Sequence, residues 1–372
     1  MKPLRLAVIG AGRLGGFHAQ KAAANPEVDL VAVVDPVPEA RNRVAAECKT
    51  KAVVDYRNLI DQIDAAIVAT PTRFHHRVAM ELAGNGIHLL VEKPICTSVA
   101  EADELVEAAD ANGIVLQVGH VERFSPALAA TAPYLAQPKY IDAVRASGFT
   151  FRSTDVGVVL DLMIHDIDLV LSLANSPVRR VEAFGISVLG GHEDVANARI
   201  HFESGCMATL NASRVHRTPA RRMQVWTNRS YADIDFGSLS ASVIRPSETL
   251  LSRQFDVDEL SSEQIEYYKE HLLDEHLPEE KISCERIDAL AAQQADFIES
   301  IQTSRQPRVS GHQGRDALAV AEQILGKIHT HAWDDDVEGP IGPLAQPRPS
   351  VIPAPHWSRI PVDAPIRHRE AG

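Results

Sequence analysis

Short apolar runs alternate with longer helical patterns over the first 118 residues, and this alternation restricts the fold more than any other feature of the sequence. The apolar runs are LRLAVIG, DLVAVVD, AAIVAT, HLLVEK and IVLQVG. Each is almost continuously apolar, as strands covered on both faces are. The stretches between them, RLGGFHAQKAAA, PEARNRVAAECK, FHHRVAMELAGNG and VAEADELVEAADANG, have the pattern of helices. Repeated strand and helix units predict an α/β fold with a parallel, doubly wound sheet.

The pattern changes after about residue 120. One apolar helix is followed there by the strand patterns VEAFGISVLG, VANARIHFE, CMATLNASRV, RRMQVWTN and YADIDFG. This succession predicts a second domain of α+β type with an open, mostly antiparallel sheet. A length of 372 residues suits two domains better than one core. We therefore expect a nucleotide-binding domain over 1–121, a substrate-binding and oligomerisation domain over 122–332 with a helical insertion at about 254–283, and a proline-rich tail over 333–372.

Charge and composition exclude several classes of function. A formal net charge of −13 disfavours binding to nucleic acid or to an anionic membrane. No apolar segment is long enough to span a bilayer, and the sequence enters a strand directly from MKPL, so we expect no signal peptide and a cytoplasmic protein. The cysteines suit a reducing compartment because they form no CxxC pair; they are Cys48, Cys96, Cys206 and Cys284.

A glycine-rich turn follows the first strand. The segment VIGAGRLGG contains the pattern GxGxxG, formed by Gly10, Gly12 and Gly15. Glycines at such a turn allow a pyrophosphate to approach the backbone at a helix N-terminus, where Arg13 and Leu14 would also contact it. Asp35 ends the second strand and is placed to accept hydrogen bonds from the adenosine ribose. The acid predicts NAD rather than NADP, although Arg13 could offset its repulsion of a 2′-phosphate.

Two further strands end in polar segments, ATPTRFHH and VEKPICTS. Ligands of open α/β sheets bind at the carboxyl edge, so we expect Thr70, Pro71, His75 and Glu92 to lie near the cofactor. Lys93 would lie beside the nicotinamide. The alternative is an ordinary solvated lysine at a strand end.

The segment VLDLMIHDIDLV carries polar residues in an otherwise apolar helix pattern. At roughly 100° per residue, Asp161, His165 and Asp168 form one narrow stripe between two apolar flanks. Buried carboxylates need partners or a solvated cavity, so the stripe predicts a pocket, and structural ion pairs are the alternative. A metal site is not expected, because His75 and His76 are adjacent rather than spaced for ligation and the polar stripe is explained without an ion.

The segment NASRVHRTPARR is basic in an otherwise acidic protein. Its arginines are Arg214, Arg217, Arg221 and Arg222. We expect Arg214 and Arg222, together with Arg123 and Phe124 between the domains, to hold a substrate diphosphate or carboxylate. The alternative is a solvated basic edge.

Several motifs occur together in the order seen in one known family. The GxGxxG turn with Asp35, TPTRFHH, the EKP triplet at 92–94, VGHVERFSPA and LDLMIHDID resemble the glucose-fructose oxidoreductase, inositol dehydrogenase and MocA-like family over about residues 4–330. The resemblance implies a Rossmann domain, an open-sheet second domain, NAD(P), oxidation of a sugar or cyclitol hydroxyl, and a homodimer or homotetramer. Within the family, the last two motifs are most similar to bacterial UDP-N-acetylglucosamine 3-dehydrogenases.

The resemblance also implies roles for single residues. Lys93 matches the lysine of the active centre, Asp161 and His165 match a D-x-G-x-H pair, and Asp168 matches the acid that follows. Met163 stands where that pattern has glycine. We expect His165 to act as general base because histidine titrates near neutral pH. We expect Lys93 to stabilise the reacting oxygen and Asp161 to orient the substrate or imidazole. Asp168 is expected to help orient the substrate from a greater distance.

Three hypotheses remain open from the sequence. The first is an NAD-dependent dehydrogenase of a UDP-sugar. The second is an inositol or aldose dehydrogenase of the same family. The third is a non-catalytic NAD-binding sensor, which would not need Lys93, Asp161 and His165 together.

Overall fold

A computed structural model describes residues 2–151, 156–333 and 339–345 and contains two sheets. The first sheet is parallel and follows the strand order 3-2-1-4-5-6. Its strands are β1 (Leu4–Ile9), β2 (Val28–Val34), β3 (Lys51–Val53), β4 (Ala65–Val68), β5 (His88–Val91) and β6 (Leu116–Val118). This order confirms the predicted doubly wound sheet. The sequence reading missed β3, since three residues are too few to show a pattern.

Four helices connect these strands: α1 (Arg13–Ala24), α2 (Pro38–Cys48), α3 (His75–Ala83) and α4 (Val99–Ala111). Apolar clusters cover both faces of the sheet. One cluster includes Ala7, Val68 and Leu89, and the other includes Leu6, Ile67 and Leu90. Coverage on both faces explains why the strand sequences are continuously apolar.

The second sheet has eight strands in the order 14-13-12-11-7-10-9-8. They are β7 (Tyr140–Ala146), β8 (Val178–Ile186), β9 (Val195–Phe202), β10 (Met207–Ser213), β11 (Ala220–Trp226), β12 (Tyr231–Asp235), β13 (Ser240–Ile244) and β14 (Glu279–Ile282). All neighbouring strands are antiparallel except β7 and β10, which confirms the predicted mostly antiparallel sheet. Strands β7, β13 and β14 were not predicted from the sequence.

The remaining helices are α5 (Pro126–Thr131), α6 (Ile164–Ala174), α7 (Glu248–Leu251), α8 (Ser262–His276), α9 (Ala289–Thr303) and α10 (Gly311–Thr330). Helices α6 and α10 pack on one face of the second sheet, where Met163, Ile167 and Ile324 are fully buried. On the other face, the rings of Trp226 and Tyr231 stack with their centroids 4.7 Å apart.

Helices α9 and α10 return to the first sheet. Phe297 and Ile298 of α9 are buried in its core, although the sequence reading grouped this segment with the second domain. A Cβ added at Gly311 or Gly314 would lie 2.5 Å from Leu116 or 2.4 Å from Val118, respectively. The first turn of α10 therefore packs closely on β6 while its later turns contact β8, and this bridge sets the position of α6 relative to the first sheet.

The predicted insertion at 254–283 contains α8, whose residues are all at least partly exposed, and the edge strand β14. Of the predicted proline-rich tail, 334–338 and 346–372 lie outside the described residues. Among the helices that the structure describes, none has the length and apolar character needed to cross a membrane.

Candidate active site

The segments that follow β1, β2, β4, β5 and β6 all leave the first sheet at its carboxyl edge, because the strands are parallel. The segment Val159–Met163 and helix α6 supply polar side chains opposite the loop that follows β5, since Lys93 in this loop contacts Asp161. The predicted cofactor and catalytic residues are therefore brought to one side of the first sheet.

The glycine turn after β1 has no space for larger side chains at two of its positions. Gly10 has φ +102°, and a Cβ there would lie 2.5 Å from the carbonyl oxygen of Ala69. A Cβ at Gly15 would lie 1.9 Å from the carbonyl oxygen of Gly10. Around Gly12, by contrast, there is no atom within 4 Å of such a Cβ, and no side chain caps α1, which begins at the next residue. This open, uncapped helix N-terminus is suited to a pyrophosphate.

Asp35 lies beside the glycine turn. Its Oδ2 accepts a hydrogen bond from the amide of Ala11 at 2.8 Å, and its Oδ1 accepts one from the amide of Val37 at 2.8 Å. These bonds hold the carboxylate at the end of β2. A carboxylate at this position fits the ribose of a dinucleotide, because each oxygen has a second lone pair for a hydroxyl donor.

The other residues predicted to contact the cofactor differ in exposure. Arg13, Leu14 and Pro71 are exposed, and the Arg13 guanidinium lies 5.6 Å from the Phe17 ring. The hydroxyl of Thr70 is buried and has no partner among the described residues. A buried hydroxyl without a partner next to the open glycine turn also fits a ligand that supplies hydrogen-bonding atoms.

His75 is buried beneath the cleft. Its Nδ1 lies 2.9 Å from the carbonyl oxygen of Pro94 and its Nε2 lies 2.8 Å from that of Thr70. Burial lowers the pKa of His75, although both carbonyls oppose this shift. The ring thus ties the segment after β4 to the segment after β5. Both of its nitrogens contact backbone carbonyls, and the predicted contact of His75 with the cofactor stays a prediction.

Glu92 also points inward. Its Oε1 lies 2.7 Å from His18 Nε2, and the His18 Nδ1 accepts a hydrogen bond from Gln294 at 2.9 Å. Burial opposes ionisation of Glu92, but the bonds from His18 and from the Lys93 amide outweigh it and lower the pKa of Glu92. The sequence reading missed His18 and Gln294, which link α1 and α9 to the residue before Lys93.

Lys93, which follows β5 of the first domain, contacts Asp161 of the second domain. The Lys93 Nζ donates to the carbonyl oxygen of Asp161 at 2.6 Å and lies 3.6 Å from its Oδ1. Residues Val159–Met163 form a π-helical turn rather than the predicted α-helix. In such a turn the backbone hydrogen bonds join residues five apart instead of four apart. Burial lowers the pKa of Lys93, and Asp161 and Glu92 oppose that shift.

His165 lies in the first turn of α6, one helical turn after Asp161. Its Nδ1 is buried without a partner, and no hydrogen bond to its Nε2 is present among the described residues. Burial, and then the positive charges of Lys93 and Arg145, hold the pKa of His165 well below its ordinary value of 6.5. The ring is therefore a neutral base next to a cation.

A buried ion cluster lies close to Lys93 and His165. The sequence reading missed it. Arg145 of β7 donates from Nε and Nη2 to the two carboxylate oxygens of Asp166 at 2.9 and 2.8 Å. Its Nη1 donates to Glu122 at 2.7 Å. Burial lowers the pKa of Arg145, but the carboxylates of Asp166 and Glu122 outweigh this effect and raise the pKa above its ordinary value. Asp166 could not be found from the polar stripe, because it lies on the opposite side of the helix.

Of the arginines in β11, the structure brings Arg221 rather than Arg222 towards the site. Arg221 lies directly opposite Arg145 in the strand pair and therefore on the same face of the sheet. Its charge acts on both His165 and Asp166. Arg222 points to the other face, where it pairs with Asp233 at 2.9 Å.

The other residues predicted to bind substrate are buried or partly buried and are engaged with protein groups. Arg214 donates to Asp194 at 2.6 Å and to the carbonyl oxygen of Val156 at 2.6 Å. Arg123 donates to Asp168 at 3.3 Å and to the carbonyl oxygen of Arg308 at 3.1 Å. Phe124 packs in the core of the first domain. Arg214 is held away from the open cleft by its bonds to Asp194 and Val156, and Arg123 and Phe124 lie in the short helical turn at Val121–Phe124.

The described ranges contain no group of three or more His, Cys, Asp or Glu side chains that could hold a metal ion.

Family comparisons cover both halves of the chain. A model for an oxidoreductase family with an NAD-binding Rossmann fold matches residues 4–120. A model for the GFO/IDH/MocA C-terminal domain matches residues 134–231. The first domain is thus an NAD-binding Rossmann domain.

Two curated relatives are similar over different shares of the chain. UDP-N-acetylglucosamine 3-dehydrogenase of Acidithiobacillus ferrooxidans is 35% identical over 329 residues, which cover 86% of this chain and 96% of that protein. The scyllo-inositol 2-dehydrogenase (NAD(+)) of Bacillus subtilis is 31% identical over 230 residues, covering 57% of this chain and 67% of that protein.

Solved structures are similar over the whole fold. The structure of the A. ferrooxidans enzyme superposes with a TM-score of 0.77 at 34% identity, covering 88% of this chain and 98% of that one. A levoglucosan dehydrogenase complex with NADH and levoglucosan has a TM-score of 0.74 at 17% identity, covering 88% and 97% of the two chains, and this likeness concerns the fold alone.

Proposed function

The chain belongs to the GFO/IDH/MocA family of NAD-binding oxidoreductases, and from this premise we propose that it oxidises a secondary hydroxyl of a nucleotide sugar, UDP-N-acetylglucosamine, to its 3-keto form. The observation that carries the chemistry is the meeting of Lys93, Asp161 and His165 beside the carboxyl edge of the Rossmann sheet. The substrate is supported by similarity to the UDP-N-acetylglucosamine 3-dehydrogenase, which extends through both domains.

The first domain holds the cofactor. The uncapped N-terminus of α1 and the open space at Gly12 receive the pyrophosphate, and Asp35 binds the adenosine ribose. When bound, NAD supplies the acceptor for the hydride that leaves the carbinol carbon.

His165 removes the hydroxyl proton. Its low pKa keeps the ring neutral at physiological pH, so one nitrogen is an acceptor. We assign the hydrogen to the buried Nδ1 and the lone pair to Nε2, which is left to face the substrate. Proton removal by a positioned base contributes about 10²- to 10⁴-fold to a rate.

Lys93 stabilises the reacting oxygen as it loses its proton. The ammonium is held by the carbonyl and carboxylate of Asp161, so it needs little reorganisation when negative charge develops. Asp161 therefore positions the lysine. The same positive charge lowers the proton affinity of His165, which suits a base that must pass its proton on.

Arg221 is our candidate for the diphosphate. It is exposed, lies on the sheet face shared with Arg145, and acts electrostatically on His165. Asp166 and Glu122 already neutralise Arg145, whereas Arg221 makes no ion pair among the described residues. A guanidinium of this kind suits bidentate binding to a phosphate.

We further propose a cytoplasmic homo-oligomer. The four cysteines are all free, which fits a reducing compartment. The open face of the second sheet carries the contacting rings of Tyr140, Trp226 and Tyr231, an aromatic surface that a second copy of the chain would cover.

The test is a substrate panel followed by NADH absorbance. We expect NADH with UDP-N-acetylglucosamine, and much less with UDP-glucose, free N-acetylglucosamine, myo-inositol or scyllo-inositol. NADH from an inositol but from no UDP-sugar would contradict the proposed substrate. A lack of NADH from every alcohol, with NAD still bound, would favour a non-catalytic sensor.

A further inference from the structure

Four buried polar atoms near His165 have no hydrogen-bond partner among the described residues. They are His165 Nδ1, His120 Nδ1, His120 Nε2 and Asp168 Oδ2. Unpaired buried polar atoms are rare because each loses its bonds to water without replacement. Four such atoms on two neighbouring elements indicate that a small polar molecule lies between them.

His120 and His165 face each other across the two domains. Their ring centroids are 6.3 Å apart and the ring planes are perpendicular. No direct hydrogen bond joins the two rings. One water molecule with two hydrogen bonds of about 2.8 Å can span such a separation.

Asp168 extends this polar cluster towards the surface. Its Oδ1 accepts from Arg123 at 3.3 Å, while its Oδ2 has no partner among the described residues. Asp168 and Arg123 also line a surface cavity of about 410 Å³ between α6 and α10, together with Gln313 and Asp316. Asp168 therefore connects the buried cluster to a surface cavity whose lining does not include Lys93.

We propose that an internal water molecule joins His165 Nδ1, His120 and Asp168 Oδ2, and that His120 receives a proton through it after each oxidation step. This inference rests on the proposed function, since His165 must first accept a proton from the alcohol. His120 acts through His165 and the water, so it is a positioning and relay residue that does not touch the substrate.

The substrate O–H bond breaks and an Nε2–H bond forms on His165, while the hydride and its electron pair leave for NAD. The Nδ1–H proton of His165 then passes to the water, which passes one of its own protons to His120. His165 is again neutral, and His120 is an imidazolium facing the Asp168 carboxylate. The proton of His120 then passes by way of Asp168, which lines the surface cavity, to solvent. The cycle closes when the Nε2 proton of His165 passes to solvent in the open cleft and a proton returns to Nδ1 through Asp168, His120 and the water.

The surrounding charges favour this direction of transfer. The charged or titratable groups that act on His165 are Lys93 after β5, Arg145 of β7, His120 after β6 and Arg221 of β11. Those that act on His120 are Asp168, Lys93, Glu92 and Arg123. Burial lowers the pKa of both rings. The pKa of His165 is lowered further by Lys93, Arg145, His120 and Arg221, whereas at His120 the lowering by Lys93 and Arg123 is opposed by Asp168 and Glu92.

The first test compares proton release with NADH formation in a single turnover, using a pH indicator and NADH absorbance with UDP-N-acetylglucosamine. In the wild type the two signals should coincide. In His120→Gln, whose amide can hold the water but cannot carry a proton, NADH should still form while proton release lags by at least about tenfold. We expect kcat to fall and KM to stay near that of the wild type.

His88→Asn is the matched control, because His88 lies at the opposite end of β5 and is also partly buried. It should release protons in step with NADH. Simultaneous signals in His120→Gln would overturn the relay alone, whereas no NADH from the wild type would refute the proposed function and the relay with it. If His120→Gln does not fold, Asp168→Asn should show the same lag, and simultaneous signals in that variant would overturn the relay.

The second test needs no turnover. A high-resolution crystal structure should show a water within about 3.2 Å of His165 Nδ1, a His120 ring nitrogen and Asp168 Oδ2. A dry gap, or a His120 ring bonded to other protein groups, would overturn the proposal.

Discussion

Replacing Asp166 with alanine should strongly destabilise the second domain. Arg145 makes three charge-assisted hydrogen bonds, two to Asp166 at 2.9 and 2.8 Å and one to Glu122 at 2.7 Å. Arg145 and Asp166 are each only 3% exposed. The substitution removes two of the three bonds and leaves a buried guanidinium with half of its partners. Breaking a buried pair in this way costs about 3–5 kcal/mol, which is about two to four orders of magnitude in the folding equilibrium constant.

Urea denaturation followed by tryptophan fluorescence measures this loss, because Trp226 lies in the same sheet as Arg145. The midpoint should fall by about 1 M or more. Asp64→Ala is a matched control: Arg5 binds Asp64 with the same two-bond geometry, but both side chains are exposed to solvent. Exposed pairs contribute little, so its midpoint should hardly change. A shift for Asp166→Ala no larger than that of the control would refute the reasoning.

Three further predictions concern the cofactor, the base and the diphosphate. Gly15→Ala should weaken NAD binding at least about tenfold in a fluorescence titration, because a Cβ there lies 1.9 Å from the Gly10 oxygen; unchanged affinity would contradict the fit. The acid limb of the pH profile of kcat/KM should have its midpoint below 6.5, because the neutral form of His165 is active and the pKa of His165 is lowered from that value. The alkaline limb should have its midpoint below 10.5, because the pKa of Lys93 is lowered from that value and the protonated lysine is active. An acid limb above 6.5 would be inconsistent with this site. Arg221→Met should raise KM for the UDP-sugar about 10- to 100-fold while Arg222→Met leaves it within about twofold, and equal effects in initial-rate assays would argue against the assignment of the diphosphate.

The first domain could be predicted from the sequence because its signals are local. A strand buried on both faces is apolar along its whole length, and the glycines that receive a pyrophosphate stand at a set spacing after such a strand. Asp35 follows from the same rule. The short β3 and the return of α9 were not predictable, since the first has only three residues and the second depends on contacts between distant segments.

The site residues were harder to predict where their role depends on the direction in which a side chain points. Alternation along β11 puts neighbouring arginines on opposite faces, but only the pairing with β7 shows that Arg221 shares the face of Arg145. Similarly, Asp166 lies outside the stripe of Asp161, His165 and Asp168, and its importance depends on an arginine in another strand.

Residues in short connecting segments were the least predictable. The sequence reading placed Arg123 and Phe124 at the substrate, but Phe124 is buried in the core of the first domain and Arg123 pairs with Asp168 beside a surface cavity. Both lie in a short helical turn that shows no hydrophobic period. His120 comes just before this turn, and only its unpaired nitrogens in the folded protein draw attention to it. Loops carry functional side chains without a periodic signal, so their direction has to be observed.

The central claim is that a base on α6 and a cation after β5 act on one alcohol, and single-turnover hydride transfer tests it most directly. The assay mixes enzyme, NAD and UDP-N-acetylglucosamine rapidly and follows NADH for the wild type, Lys93→Met, His165→Ala and the double variant. Each single substitution should slow hydride transfer by at least about 100-fold. The double variant should be little slower than the worse single one, because the two groups act as a unit. Near-native rates in both single variants would contradict the account.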